Sequence, residues 1–376
     1  MYKIIHIHND TKFIDETSIF ENPEFDNEVV ILGEKGSYFG KYQESSVYLR
    51  SSKRNIKWLV DHCKEADIVV LYNLCLMKSI IANLLDDDIK VIWRFFGYEL
   101  YRSIKDTFYS ELTKEKLKPN RHSLRIVLRN QLKQFFQFRD FIKLRTTYNL
   151  EFFQALDRVD LFLGHYGEEY EYLKENWPDL PPFVNLPALA NFRKLKKLQE
   201  KDNGIILGNS RNPLNNHFDI LNIFLSSKNI KKFNMIIPFS YYNETHYSMG
   251  VREIAKLYSN ILLLEDFITI EDYEAIFKKA SVFISNSLRQ AALGNILLAL
   301  QNGVKIYLNQ KNVIYSALIS QGLLVFSVDQ FRLDLENNDI RLSGEEMKHN
   351  VFTMRKLAKE NSISSFQDRI MNALLL

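Results

Sequence analysis

The sequence is poor in the features that mark secreted, membrane-spanning and metal-binding proteins. Its 376 residues include only two cysteines, Cys63 and Cys75, too few for a disulfide framework or a zinc cluster. No run approaches the ~18–20 apolar residues of a membrane-spanning helix, and the first residues lack the basic and apolar regions of a signal peptide. We therefore expect a protein of the reducing cytoplasm, in which any membrane contact is peripheral.

Several ligand motifs are also missing. The chain has no G-x-G-x-x-G and no G-x-x-x-x-G-K-[ST], which argues against a dinucleotide dehydrogenase and a P-loop NTPase. It has no H-E-x-x-H and no cluster of Cys and His, so we expect neither a catalytic metal nor a bound cofactor. The net charge of +3 is small, which argues against nucleic acid as a partner.

Short β-rich runs alternate with segments of helical periodicity, a pattern typical of parallel α/β sheets. The predicted strands lie at 2–8, 28–32, 67–73, 89–95 and 159–163, and then at 204–208, 233–237, 260–264, 281–285, 304–308 and 323–326. Prolines between 178 and 187 suit a boundary between the two series. We predict two Rossmann-like α/β domains with a ligand in the cleft between them. The predicted bounds are 1–187 for the N-terminal domain, 188–203 for a linker, 204–345 for the C-terminal domain and 346–376 for terminal helices that pack back toward the N-terminal domain.

Residues 114–145 do not fit this alternation. They carry ten Lys or Arg against two acidic residues, and Arg121, Arg125 and Arg129 recur every four residues, on one face of a helix. Aromatic and aliphatic residues supply an apolar surface beside them. A cationic face next to an apolar one is typical of a helix that binds an anionic membrane surface. The alternative is a helical insertion that packs on its own domain with its cations in solvent.

Two polar turns in the C-terminal half are candidate phosphate sites. The first, Gly208–Ser210 with Asn209 at its centre, precedes a helix that contains His217; such a turn offers backbone N–H groups and a positive helix end to an anion. The second lies within Ser285–Asn295, at the predicted start of a helix over 290–301. Arg289 would add a guanidinium there, unless it is merely solvated. The candidate ligands of this second turn are Arg289, Gln290, Gly294 and Asn295.

A third turn follows the strand that ends near Pro238. Ser240 and Tyr241 are candidates for hydrogen bonding to a base and stacking on it, although an aromatic residue in a loop is as often simple packing.

The N-terminal half supplies the candidate catalytic residues. Glu99 follows a predicted strand, and its carboxylate is the first candidate for a general base toward an acceptor hydroxyl. His8 and Asp10, at the end of the first strand, are the second candidates, although a histidine in a strand is more often structural. Arg94 and Arg102 are candidates for binding phosphate on the acceptor.

With these residues in place, the chain resembles glycosyltransferase family 56. The matching motifs are W-x-x-x-G-x-x-L-Y at Trp93–Tyr101, G-N-S at Gly208–Ser210 followed by His217, I-P-x-x-Y at Ile237–Tyr241, R-Q-x-x-x-G at Arg289–Gly294, and the pair Leu308-Asn309. Two positions depart from the family pattern. Glu99 stands where the family has aspartate, and Asn295 stands where it has a hydroxyl residue.

The resemblance implies a GT-B fold, in which two Rossmann-like domains face each other across a cleft. The C-terminal domain of such a protein holds a nucleotide and the N-terminal domain an acceptor. The resemblance also implies transfer of a deoxyamino sugar, such as 4-acetamido-4,6-dideoxygalactose, or of fucose. The donor is expected to be a nucleoside diphosphate sugar, with dTDP as first choice, and the acceptor a polyprenyl-diphosphate-linked saccharide of bacterial surface polysaccharide synthesis.

The resemblance implies an enzyme on the cytoplasmic face of the bacterial inner membrane. It is expected to need no metal, because helix dipoles and cations of the enzyme neutralise the leaving diphosphate. Two alternatives stay open. One is a GT-B glycosyltransferase that acts on a soluble glycan or protein, and the other is a non-catalytic nucleotide-sugar-binding subunit of a polysaccharide assembly complex.

Overall fold

The computed structural model describes residues 1–34, 38, 40–50, 52–102, 108–118, 146–187 and 200–375. These residues form two compact units. The first consists of the described residues within Met1–Ser103, Leu124–Ala188 and Asn361–Leu376, and the second of those within Ile104–Ser123 and Leu189–Glu360. Each unit is built around one parallel β-sheet.

The first unit contains a seven-stranded sheet. Its strands are β1 (Tyr2–His8), β2 (Phe25–Leu32), β3 (Val47–Leu49), β4 (Ile68–Tyr72), β5 (Lys90–Arg94), β6 (Leu161–Gly164) and β7 (Phe183–Asn185). They lie in the order β3-β2-β1-β4-β5-β6-β7. The helices are α1 (Lys53–Cys63), α2 (Leu76–Leu84), α3 (Tyr98–Tyr101), α5 (Tyr148–Arg158), α6 (Gly167–Lys174) and α14 (Ile363–Leu375), with a 3-10 helix over Thr11–Phe20.

The second unit contains a six-stranded sheet. Its strands are β8 (Gly204–Leu207), β9 (Asn234–Pro238), β10 (Ile261–Leu264), β11 (Val282–Ser285), β12 (Lys305–Leu308) and β13 (Phe326–Ser327), in the order β10-β9-β8-β11-β12-β13. The helices are α4 (Glu111–Leu117), α7 (His217–Ser226), α8 (His246–Leu257), α9 (Ile270–Lys279), α10 (Leu293–Gln301), α11 (Val313–Ser320), α12 (Val328–Asn337) and α13 (Gly344–Glu360).

Both sheets have the strand order of a Rossmann-like fold. Counted within each unit, the order is 3-2-1-4-5-6, with one further edge strand in the first sheet. The direction in which strands are added therefore reverses between β1 and β4, and again between β8 and β11. In open parallel sheets, ligands bind beyond the carboxyl ends of the strands at such a reversal. The turns after these four strands are thus the places to look for functional side chains.

The predicted α/β architecture is confirmed. Each predicted strand overlaps a strand of the structure, because a buried parallel strand is a short apolar run that the sequence shows directly. The short strands β3 and β7 were missed. β7 lies inside the proline-rich passage and forms the edge of the first sheet, where prolines flanking a strand are tolerated.

The predicted domain bounds differ from the observed units at two places. α4 belongs to the second unit, although its residues fall in the predicted N-terminal domain. Of the predicted terminal helices, α14 belongs to the first unit, toward which they were expected to pack, whereas α13 belongs to the second. In α14, Phe366 and Ile370 pack in the same core cluster as Ile4 of β1, which explains why this helix belongs to the first unit.

The predicted basic insertion can be placed only at its start. Residues 114–117 form part of α4, whereas 119–145 lie outside the described residues, and with them Arg121, Arg125 and Arg129. Within the described parts of the chain, none of the helices combines the length and apolarity that crossing a bilayer requires.

Asn216 holds the α4 segment on the second unit. Its Oδ1 accepts from the N–H of Ser110 (2.9 Å), and its Nδ2 donates to the carbonyls of Phe108 (3.3 Å) and Asn286 (2.9 Å). The hydroxyl of Ser110 in turn donates to Asp219 (2.6 Å). Asn216 is fully buried at φ +48°, a left-handed conformation that asparagine tolerates better than most residues. One amide therefore satisfies backbone groups from two separate segments.

Replacing Asn216 with alanine should destabilise the second unit by about 2–4 kcal/mol, because buried backbone groups lose their partners. Denaturant unfolding measures the loss. The matched control is Asn338→Ala, since Asn338 is also left-handed (φ +59°) but exposed. That control should cost only about 1 kcal/mol of backbone strain. Equal losses in the two variants would show that the Asn216 amide contributes nothing.

Candidate functional site

The turn after β8 has a conformation that glycine adopts most readily. Gly208 has a φ of +69°. A Cβ atom here would lie 2.8 Å from Oδ1 of Asn215 and 3.2 Å from Nε2 of His217. The Gly208 N–H donates to the carbonyl of Ile284 (2.8 Å), which ties this turn to β11 across the strand reversal. Both the backbone angle and the packing therefore require glycine.

Asn215 and His217 are buried beside this turn. Nδ2 of Asn215 donates to the carbonyls of Ser210 (3.0 Å) and Asn212 (3.2 Å), which fixes the orientation of the amide. Nε2 of His217 has no partner among the described residues. Burial lowers the pKa of His217 to about 3, so its ring is neutral near pH 7. His217 is therefore a neutral side chain that packs against the Gly208 turn and brings no positive charge to it.

Side-chain amides connect the turns after three neighbouring strands. Nδ2 of Asn286, after β11, donates to the carbonyl of Asn216 (3.3 Å), and Nδ2 of Asn216 donates to the carbonyl of Asn286 (2.9 Å). Nδ2 of Asn309, after β12, donates to Oδ1 of Asn286 (2.8 Å). Nδ2 of Asn312 donates to the carbonyls of Ser287 (3.0 Å) and Arg289 (2.9 Å). This amide network holds the backbone at the carboxyl edge of the second sheet.

The segment from 286 to 292 is a loop, so the predicted helix start at 290 is wrong. Ala292 has a φ of +57°, which a continuous helix excludes, and α10 begins at Leu293. Arg289 and Gln290 therefore lie before the helix, and Nη1 of Arg289 donates to the Gln290 carbonyl (3.2 Å). Gly294 is exposed, and a Cβ atom added to it would meet no other atom within 4 Å.

The structure brings the two predicted phosphate turns together. Nδ2 of Asn295 donates to the carbonyl of Gly208 (3.4 Å) and to the hydroxyl of Tyr273 (2.8 Å). Residues from both sides of the strand reversal thus meet, as expected if they surround one ligand. Ser210 is buried and Asn209 half-buried in the same turn.

The third predicted turn also lies at this edge of the sheet. Pro238 ends β9, and the N–H of Arg211 donates to the carbonyl of Tyr241 (3.2 Å). The Arg211 guanidinium donates to the carbonyls of Phe239 (2.6 Å) and Ser240 (3.2 Å). The ring of Tyr241 is half exposed and meets Phe267 edge to face at 4.7 Å. An exposed aromatic pair of this kind offers a surface on which a base can stack.

In the first unit, Glu99 is fully buried. Its Oε1 accepts from Nε1 of Trp93 (3.3 Å) and from the N–H of Phe96 (3.3 Å), while Oε2 has no partner among the described residues. Burial raises the pKa of Glu99, against the effect of these hydrogen bonds. A raised pKa and a free buried oxygen are properties that suit a general base.

The structure gives the other two candidate bases structural roles. His8 is buried, with Nε2 2.9 Å from the Thr17 hydroxyl and its ring stacked on Tyr72 at 3.7 Å. Burial, with smaller contributions from His6 and Lys78, lowers the pKa of His8 well below its usual value. Asp10 accepts from the N–H of Lys12 (3.1 Å) and caps the 3-10 helix.

The two candidate phosphate-binding arginines of this unit have protein partners. Arg94 is buried, and its Nε donates to Oε2 of Glu16 (2.9 Å) while Nη2 lies 3.0 Å from Nε2 of His165. Arg102 donates to Asn149 (3.1 Å), and its guanidinium lies 3.3 Å from the Tyr148 ring centroid. The expectation that Arg94 binds phosphate is not supported, because a carboxylate already occupies its guanidinium.

The sequence did not predict the residues that hold the loops of the candidate site in place without lining it. Asn286 and Asn312 organise the loops after β11 and β12, and Arg211 joins the loops after β8 and β9. The available signal was a polar residue within a few positions after each buried strand. Such residues were noticed only where they matched a phosphate-binding pattern.

Comparison with known proteins places the chain among glycosyltransferases. A family model described as 4-alpha-L-fucosyltransferase glycosyl transferase group 56 matches residues 180–352, which include the turns after β8, β9 and β11. The chain is a glycosyltransferase, and its residues 180–352 are similar to group 56. The expected resemblance is thus confirmed, over a segment that lies mainly in the second unit.

Solved structures of glycosyltransferases share the fold of this glycosyltransferase at low sequence identity. An alpha-glucosyltransferase in complex with UDP and DNA aligns with a TM-score of 0.60 at 10% identity, covering 100% of both chains. Sucrose-phosphate synthase from Thermosynechococcus elongatus aligns with a TM-score of 0.64 at 8% identity, covering 99% of this chain and 98% of that chain. The Anabaena protein HepE in complex with UDP and glucose aligns with a TM-score of 0.64 at 9% identity, covering 100% of this chain and 99% of that chain. The predicted GT-B type of fold is confirmed.

Two glycines of this glycosyltransferase provide a matched test of the two predicted phosphate turns. Gly208→Ala should cost on the order of 2–4 kcal/mol of stability, through backbone strain and the clash with Asn215. Gly294→Ala should leave stability unchanged or raise it by up to about 1 kcal/mol, since its Cβ meets open space. Thermal unfolding of both variants checks this, and a stable Gly208→Ala variant would contradict it.

Proposed function

We propose that the second unit binds a nucleoside diphosphate sugar, with dTDP as the expected nucleotide. The observation that carries the proposal is the meeting of Gly208 and Asn295 at the strand reversal of the second sheet. The diphosphate is expected beside these residues, with Ser210, Arg289 and Gln290, and the base beside Tyr241. Most of the surrounding groups are neutral amides and backbone N–H groups. Such fixed dipoles stabilise the charge that develops on a departing diphosphate.

We place the acceptor on the first unit, with Glu99 as general base. Glu99 takes the proton of the attacking acceptor hydroxyl, whose oxygen forms the new bond to the anomeric carbon. The bond from that carbon to the diphosphate breaks, and the nucleoside diphosphate leaves with the electron pair. No metal or cofactor enters this step. The raised pKa of Glu99 and the buried Oε2 without a hydrogen-bond partner among the described residues support the assignment.

The acceptor is proposed to be a polyprenyl-diphosphate-linked saccharide at the cytoplasmic face of the bacterial inner membrane. The transferred sugar is then a deoxyamino sugar such as 4-acetamido-4,6-dideoxygalactose, or fucose. The match to group 56 supports this choice of sugar class. The basic and aromatic composition of 114–145 supports a membrane-bound acceptor.

Thermal-shift measurements with dTDP, UDP, GDP and CMP test the donor assignment. The preferred nucleotide stabilises the folded protein and raises its melting temperature, because a ligand that binds only the native state stabilises it. Labelled sugar from the matching donor should then appear in a polyprenyl-diphosphate-linked saccharide. If no nucleotide raises the melting temperature and no labelled sugar is transferred, the proposal is wrong.

Glu99→Gln should reduce transfer at least 100-fold, because general base catalysis contributes about that much or more. The nucleotide-induced rise in melting temperature should stay the same. In the parent protein, transfer should fall as the pH drops through the raised pKa of Glu99, above the ~4.3 of an ordinary glutamate. Unchanged turnover in the variant would remove Glu99 from the mechanism.

Flotation with liposomes distinguishes a membrane-bound acceptor from a soluble one. The protein should float with vesicles that contain anionic lipid and stay behind with purely zwitterionic vesicles. A triple variant in which Arg121, Arg125 and Arg129 are each replaced by glutamine should float less, and its flotation should depend less on salt. Absence of binding to anionic vesicles would favour the soluble glycan or protein acceptor.

A further inference from the structure

The first sheet carries a polar cluster at its own strand reversal that the proposed mechanism does not use. Asn9 follows β1 and Asn73 follows β4, the two strands between which the order reverses. Nδ2 of Asn73 donates to Oδ1 of Asn9 (2.8 Å), so the two side chains bridge the reversal. Lys78, in the first turns of α2, donates to the same oxygen (2.7 Å).

Lys78 is a fully buried cation. Its ammonium donates to Oδ1 of Asn9, to the carbonyl of Tyr72 and to Oδ1 of Asn73 (3.4 Å). Among the described residues it forms no salt bridge, and only the more distant charges of Glu99 and Asp10 favour the ammonium against the cost of burial. Burial lowers the pKa of Lys78 to about 8, so the ammonium is still mostly charged at pH 7. Burying this ammonium costs stability that an apolar side chain of similar size would not, so packing alone does not explain the lysine.

These bonds fix the direction in which the amide of Asn9 points. Oδ1 of Asn73 accepts from the N–H of Cys75 (3.1 Å), so Nδ2 of Asn73 must face Asn9. Asn9 therefore receives two donors, one of them charged, on a single oxygen. Turning the Asn9 amide over would place its NH2 group against an ammonium and a second NH2 group. Only one orientation is possible, with Oδ1 inward and Nδ2 on the other side.

Asn9 is exposed, and no described residue accepts a hydrogen bond from its Nδ2. Its neighbours in the sequence are occupied elsewhere: His8 is buried against Thr17, and Asp10 caps the 3-10 helix. The group that β1 presents beyond its carboxyl end is therefore a fixed, outward amide NH2. An NH2 group is a pure hydrogen-bond donor, and its natural partner is an oxygen.

We infer that Asn9 binds an oxygen of the acceptor saccharide through Nδ2, and that Lys78 is the positioning residue that holds Asn9 in this orientation. The inference rests on the proposed function, in which the first unit binds the acceptor. Asn9 supplies a directed donor to the sugar while Glu99 takes the proton from its hydroxyl. The buried charge of Lys78 acts through Asn9 and does not touch the substrate.

Asn9→Asp tests the inference with little disturbance of the fold. The substituted carboxylate keeps an oxygen next to Lys78 and gives that cation an opposite charge, so the melting temperature should stay the same or rise. The outward NH2 is replaced by an oxygen that repels the oxygen of the saccharide. We expect kcat/KM for the polyprenyl-diphosphate-linked saccharide to fall at least tenfold, with the KM for the sugar nucleotide unchanged.

Asn22→Asp is the matched control. Asn22 lies in the same unit, before β2, and its amide donates to Gln367 (3.0 Å). The charge change is identical, but this site is at the amino end of the sheet, so kcat/KM for the acceptor should not change. Equal activity of Asn9→Asp and the parent would overturn the inference while leaving the proposed function intact. A parent protein that transfers no sugar would overturn both.

The role of Lys78 is tested by comparing single and double variants. If Lys78 acts only by orienting Asn9, then Asn9→Ala and Lys78→Met should each reduce kcat/KM for the acceptor, and the double variant should be no worse than the poorer single one. If Lys78 had a merely structural role, the two substitutions would act independently, and the reductions in kcat/KM for the acceptor would multiply in the double variant. Multiplied losses in kcat/KM would remove Lys78 from the inference.

Discussion

The hydrogen bonds of Asn216 join parts of the second unit that are far apart in the sequence. Its amide satisfies backbone groups of Ser110 and Phe108, which precede α4, and of Asn286, which follows β11. Its own position is set by the turn after β8, where the chain enters α7 in a left-handed conformation. The turns that meet at Gly208 and Asn295 depend on this arrangement, because Asn216 holds the backbone on both sides of the strand reversal.

In both units, asparagine side chains link the loops at the strand reversal of the sheet. In each, the loops after the two neighbouring strands at the reversal are joined by a pair of asparagines. An amide can donate and accept at once without carrying charge. In the second unit this gives a neutral, rigid frame for a ligand that brings its own negative charge. In the first unit a buried lysine completes the frame, and the neutral amide faces outward.

The sequence predicts the sheets well because buried parallel strands are visible as short apolar runs, each followed by a polar turn. It does not predict partners that lie far away along the chain. Arg94 was predicted to bind phosphate, but its guanidinium donates to Glu16, which lies 78 positions earlier in the chain. The sequence does not predict the burial of Lys78, because one lysine in a helix usually points to solvent. α4 was placed in the wrong unit because its attachment depends on contacts with Asn216 and Asp219, about 106 and 109 positions away.

The core cluster of the first unit includes Phe366, Ile370 and Leu374 of α14, together with strands near the beginning of the chain. During synthesis, β1 and its neighbouring strands leave the ribosome long before this helix exists. The first unit therefore cannot complete its core until the second unit has been made. A stalled or shortened nascent chain would expose apolar surface over the first sheet, and such exposed surface favours aggregation while translation continues.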